Sequence, residues 1–173
     1  MEQSNVNNGA NRFTTLLFIV YLTVLYWILL LKLGVRFSYM GERRTNLVPF
    51  NEPFIFTSEN ILNLVIFVPL GIYAGILFGK WLFSKKLLFV FSLSLLVEVL
   101  QYNLRVGAFD ITDIITNTLG GITGLMILKG LEKAFKNSFK AQTFINIIAT
   151  IGTVVIIVLL VLLKMNMLPV RYQ

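Results

Sequence analysis

The chain has 173 residues, 57% of them hydrophobic and 13% charged, with a formal net charge of +7 and a mean hydropathy of +0.81. That balance excludes an ordinary soluble domain, which needs a polar shell, and indicates an integral membrane protein. The absence of cysteine and histidine excludes disulfides, thiolate metal sites and the commonest general base, so that any catalysis would rest on carboxylates, amides, hydroxyls, Arg or Lys.

Residues 1–11 are polar and Asn-rich, lack the pattern of a cleaved signal peptide, and read as a disordered tail. The segment 12–33 contains the first predicted span, from about Phe13 to Leu33, charge-free until Lys32 and long enough to cross ~30 Å of hydrocarbon. A core segment over 34–128 follows. It opens with a connection holding Pro49 and Pro53 and the aromatic residues Phe37, Tyr39, Phe50, Phe54 and Phe56, which suit the membrane interface. The second span runs from about Asn60 to Gly79, with Asn63, Pro69 and a GxxxG pair at Gly71 and Gly75 that permits close helix contact. Beyond a short basic loop, the third is expected at about Leu87 to Leu104 and carries Glu98 and Gln101.

The fourth span, about Ile111 to Leu128, is the least greasy and is expected to avoid facing lipid all round. Residues 129–142 place Leu131, Phe135 and Phe139 at four-residue spacing among Lys129, Lys133, Lys136 and Lys140, as in an amphipathic interfacial helix. Residues 143–173 hold the last span. The fold class is therefore all-α, a polytopic bundle of about five transmembrane helices. The loops after the second and fourth spans concentrate lysine, which predicts a cytoplasmic amino terminus and an outward-facing turn between the third and fourth spans. The positive charge is a membrane-topology signal, with no basic and aromatic interleaving that implies nucleic acid.

Polar residues cluster where hydrocarbon is expected. A charge at the bilayer centre costs from ~3 to more than 10 kcal/mol, so such groups face a bundle interior, pair, or serve function. Glu98 and Gln101 share one helical face and Arg105 continues it by a turn; Asp110, Asp113 and Asn117 make a second face, continued by Gly120, Gly121 and Gly124. The turn near Gly107 makes these faces neighbours, and the glycines are expected to pack against Gly71 and Gly75, bringing Asn63 toward the same pocket. Asp110 and Asp113 also fit the start of a helix as N-cap and third position, where the macrodipole favours acids. Asn63 and Asn117 also fit interhelical hydrogen bonding, and an interhelical hydrogen bond or a pair with Arg105 would satisfy Glu98 and Gln101.

In order, Asn46-Leu-Val-Pro-Phe50, Asn63 with Phe67-Val-Pro-Leu-Gly71, Ser94 to Gln101, and Phe109-Asp-Ile-Thr-Asp113 with Asn117-Thr-Leu-Gly-Gly121 resemble the VanZ-like family of bacterial membrane proteins. The resemblance covers about Asn46 to Leu128. It implies a small helical bundle in the bacterial cytoplasmic membrane, and a family whose namesake is associated with low-level teicoplanin resistance. The family's polar pattern falls on Asn46, Asn63, Glu98, Gln101, Asp110, Asp113 and Asn117, whereas Arg105 is displaced from the place, close before the first Asp, that many relatives give an Arg.

Three functions fit this reading. The first is binding of a membrane lipid, a lipid-linked envelope precursor or a glycopeptide at the outer leaflet, without a cofactor. The second is an intramembrane enzyme acting on a lipid-linked substrate, with Glu98 or Asp113 as general base and a divalent cation on Asp110 and Asp113. The absence of histidine and of an obvious activated nucleophile weighs against it. The third is a small transporter with Glu98 as its titrating group, against which the lack of an inverted repeat counts.

Overall fold

In a computed structural model, which describes residues 2–31, 43–51 and 57–165, five long helices account for nearly all regular structure: α1 (Glu2–Leu31), α2 (Ser58–Leu77), α3 (Phe83–Leu104), α4 (Ile111–Phe135) and α5 (Ser138–Lys164). Each contains a stretch long and apolar enough to cross a membrane. The described strands are two-residue pieces, β1 (Thr45–Asn46) and β2 (Phe109–Asp110), paired in parallel with Thr45 opposite Phe109 and Asn46 opposite Asp110.

The centre of the bundle is the contact between α2 and α4. A Cβ on Gly71 would collide with the Gly121 carbonyl, one on Gly120 with the Leu64 carbonyl, and one on Gly124 with the Val68 carbonyl. Gly121 meets Val90 of α3, and Gly75 meets the Leu128 side chain. Two backbones lie against each other because no side chain stands between them, the contact expected of small residues at four-residue spacing within lipid. This agrees with the expected pairing of the two glycine faces. It also places the least hydropathic helix where it is least exposed: half of the α4 span is buried, against 22% for α1 and α5. Thr116, Thr118 and Thr123 donate to carbonyls one turn back on their own helix, at 3.0, 2.7 and 2.9 Å, so these hydroxyls need no outside partner.

Helix α1 packs Leu17, Phe18 and Leu25 against Phe67, Leu70 and Tyr73 of α2. Pro69 lies within α2 and removes one donor from its ladder; one turn away the Tyr21 hydroxyl donates to the Ile66 carbonyl at 2.8 Å. Helix α5 is joined to α1 by polar contacts. Gln142 Nε2 donates to Asn11 Oδ1 (3.0 Å) and Thr14 Oγ1 (2.8 Å), and the Thr14 hydroxyl lies 3.0 Å from Asn146 Oδ1.

The boundaries differ from expectation in three places. Helix α1 already includes residues 2–11, expected to be a disordered tail, and Asn11 there is held by Gln142 of α5. The segment 129–142, expected as a separate amphipathic element, is the end of α4, a left-handed break at Lys136 (φ 49°), and the start of α5. The Asn137 side chain caps that start by accepting from the Lys140 amide at 3.1 Å. Third, α3 ends at Leu104, the expected end of the span, but its helical face does not continue to Arg105 as expected. Arg105 takes the left-handed conformation (φ 57°, ψ 30°), and the amides of Arg105 and Val106 return to the Tyr102 and Gln101 carbonyls at 3.3 and 3.0 Å, closing a Schellman-type turn.

Replacing Gly71 or Gly124 by Ala is expected to destabilise the bundle by about 1–3 kcal/mol, the usual cost of overpacking. Gly130→Ala, at a position where a Cβ meets nothing within 4 Å, is expected to be neutral or slightly stabilising. Thermal unfolding of the three variants in detergent micelles checks this; equal midpoints would contradict the backbone contact.

Candidate functional site

Four helix ends meet at one end of the bundle: the last turns of α1 and α3 and the first turns of α2 and α4. They enclose a cavity of about 350 Å³, whose lining includes Asn46, Asn63, Glu98, Gln101, Asp110, Asp113 and Asn117. Seven of the eight residues predicted for a pocket are thus brought together. Arg105 is not among them; it is exposed at the left-handed turn beyond α3, where continuation of the helical face was expected.

The beginning of α4 organises this end. Asp110 is the N-cap, and its Oδ1 accepts from the Thr112 amide at 2.7 Å. Its Oδ2 accepts from Asn46 Nδ2 at 2.9 Å, while Asn46 Oδ1 accepts from the Val48 amide at 3.3 Å. The Phe50 amide donates to Thr112 Oγ1 at 3.0 Å, with Phe50 itself at φ 53°. Asn46 to Phe50, uninformative alone, is therefore a loop stapled across the start of α4, and its Pro49 fixes the turn that returns the chain. Arg43 lies over the Tyr102 ring, 5.5 Å from its centroid, and adds a tie between this loop and the end of α3.

A capping box would direct the acid at the third helical position back to the N-cap amide. In this protein the Asp110 amide donates instead to Glu98 Oε2, at 2.9 Å. The reciprocal half of the box comes from another helix, which ties α3 to the start of α4. Glu98 is only 1% exposed, and among the described residues its Oε1 has no hydrogen-bond donor.

Gln101 has a structural assignment. Its Nε2 donates to the Leu29 carbonyl at 3.1 Å, satisfying one of the carbonyls left open at the end of α1. Asn117, 1% exposed, donates from Nδ2 to Ser94 Oγ at 3.1 Å, and its Oδ1 is buried with no partner among the described residues. Asn63 is 7% exposed, and its amide likewise makes no hydrogen bond to a described residue. The polar atoms divide into those committed to holding the helix ends together (on Asn46, Asp110 and Gln101) and those with no hydrogen-bond partner among the described residues (Glu98 Oε1, Asn117 Oδ1 and the Asn63 amide).

Several lining residues were not anticipated: Phe50, Asn51, Thr57, Glu59, Asn60 and Thr112. Thr57 caps α2, its hydroxyl accepting from the Asn60 amide at 3.1 Å. The run Thr57-Ser-Glu-Asn60 carries the signature of a helix start, which would have placed Glu59 at the level of the cluster. Among the described residues no group of three or more Asp or Glu is arranged to hold a metal ion. The proposed metal pair is further weakened because both Asp110 oxygens are already engaged.

The VanZ/LLP1 family matches residues 18–136. Protein VanZ of Enterococcus faecium is 38% identical over 146 residues, covering 82% of this chain and 87% of that protein. No solved structure matches. The matched region contains every residue of the cavity lining.

Asp110→Ala is expected to remove the cap and release Asn46, at a cost of about 1–2 kcal/mol. Its distinguishing effect is on the loop, where tryptic cleavage after Arg43 and Arg44 should accelerate relative to cleavage after Lys85. Unchanged relative rates would mean that the loop is held by other contacts.

Proposed function

The chain belongs to the VanZ/LLP1 family, and on that premise we propose that it binds a cell-envelope lipid or lipid-linked precursor at the outer leaflet and thereby modulates susceptibility to teicoplanin-type glycopeptides. The observation that carries this reading is the cavity of about 350 Å³ at one end of a membrane-spanning bundle, lined by the buried Glu98 and Asn117, each with one polar atom that the described residues leave unpaired. In lipid such groups are costly unless water or a ligand completes them. The lysines of the α2–α3 and α4–α5 turns stand at the opposite end, consistent with a cytoplasmic amino terminus and a cavity on the outer face of the cytoplasmic membrane.

The natural absence of cysteine makes topology directly testable. With Asn51→Cys, an impermeant maleimide is expected to label intact cells; with Ser84→Cys, exposed in the first turn of α3, labelling should require permeabilisation. The reverse pattern would put the cavity on the cytoplasmic side.

The binding reading is tested by mass spectrometry of lipid co-purifying with the protein. One envelope lipid should be enriched over its bulk proportion, and Glu98→Gln should lose the enrichment and shift glycopeptide susceptibility toward that of a strain lacking the protein. No enrichment, together with wild-type susceptibility of the variant, would sink the proposal.

A further inference from the structure

The chemistry of the unpaired atoms narrows what enters the cavity. Glu98 Oε1 and Asn117 Oδ1 are both acceptors, and Glu98 and Asn117 are each 1% exposed. They lie one turn apart in depth: Asn117 is tied to Ser94, one turn before Glu98 on α3, and sits one turn beyond Asp113 on α4. A ligand reaching down the cavity therefore comes to Glu98 first, with Asn117 Oδ1, which has almost no accessible surface of its own, one turn deeper. The Asp110 and Glu59 carboxylates also line the space, and no Lys or Arg is among the described lining residues. Ile28, Leu29, Leu62 and Ile66, on α1 and α2, supply the apolar part of the lining.

A phosphate headgroup has only acceptors when ionised and would bring negative charge toward Glu98, with repulsion strengthened by the low local dielectric. An ammonium group has three donors and no acceptor, which complements buried acceptors and suits a lining that holds Glu59, Glu98, Asp110 and Asp113 and no described Lys or Arg. We propose, building on the lipid-binding reading above, that the cavity recognises a protonated amine on an amphiphile, with Glu98 and Asn117 accepting from the ammonium and the α1–α2 wall covering the adjoining chain. Asp110 is excluded from direct recognition because its oxygens hold the cap and Asn46.

The test uses the full chain in phosphatidylcholine nanodiscs, with thermal unfolding followed by tryptophan fluorescence as dodecylamine, dodecyl phosphate or dodecyl maltoside is added. Dodecylamine is expected to raise the midpoint saturably by several degrees, and the other two are not. Glu98→Gln should abolish the shift, while Arg105→Ala, outside the cavity, should keep it. Should Glu98→Gln fail to fold, Asn117→Leu serves, with affinity for dodecylamine expected to fall at least about tenfold through loss of one hydrogen bond to a charged donor. A shift with dodecyl phosphate but not with the amine would overturn the amine assignment and leave lipid binding standing. An equal shift with the maltoside would overturn the charge requirement, and an undiminished amine shift in the folded Glu98 or Asn117 variant would overturn the site. No shift with any probe would overturn the amine proposal, the broader reading then resting on whether an envelope lipid co-purifies.

Discussion

The rest of the molecule depends on the backbone contact between α2 and α4. Within lipid, apolar side chains gain nothing by leaving hydrocarbon for protein, so helices associate through close packing and polar ties. Gly71, Gly120, Gly121 and Gly124 provide the closest packing a polypeptide allows, with carbonyls of one helix lying against Cα atoms of the other. Because the two helices run in the same direction, α3 must cross between their ends, and Gly121 takes Val90 of α3 in the space left by its missing side chain. Three helices are thereby fixed, and their ends near Glu98 are brought together around the cavity.

At those ends the problem changes from packing to backbone valence. Helix termini leave amides and carbonyls open, and in a membrane each must be met by something other than bulk water. The side chains meeting them come from other elements: Glu98 for the Asp110 amide, Gln101 for the Leu29 carbonyl, Thr112 for the Phe50 amide. Several conspicuous polar residues are thus there because helices end there. Residues left with unpaired atoms after this accounting are fewer, and they carry the functional argument.

This explains how far the sequence could be read. Five spans, the meeting of the glycine faces and the helix start at Asp110 follow from local composition and spacing, which physical chemistry constrains directly. Which polar atoms are consumed does not, because the partners are remote in sequence: Gln101 and Leu29 are 72 residues apart, Asn46 and Asp110 are 64. Their spacing groups Gln101 with Glu98, and both line the cavity, but only the structure shows that the Gln101 amide nitrogen is spent on the Leu29 carbonyl. Arg105 misleads for a different reason. Left-handed helix ends favour glycine, and a non-glycine residue there gives no local signal of termination. Residues 129–142 alternate Lys with apolar positions as an interfacial helix would, yet the same alternation suits two helix ends whose lysines reach past the hydrocarbon.

The two kinds of residue on α4 mark where packing stops and the cavity begins. From Gly120 to Gly124 the helix has no side chain on the α2 side, and the backbones touch. One turn toward the helix start stands Asn117, a full side chain, fully buried, whose Nδ2 is spent on Ser94 and whose Oδ1 has no partner among the described residues. An apolar residue of that size would fill the gap and extend the core with less desolvation cost. Glu98 presents the same argument one turn nearer the surface, since anchoring the Asp110 amide needs an acceptor but not the second buried oxygen that accompanies it. Stability alone accounts for the glycines, the caps and the stapled loop; it does not account for two buried side chains beside one cavity whose acceptor atoms find no partner among the described residues.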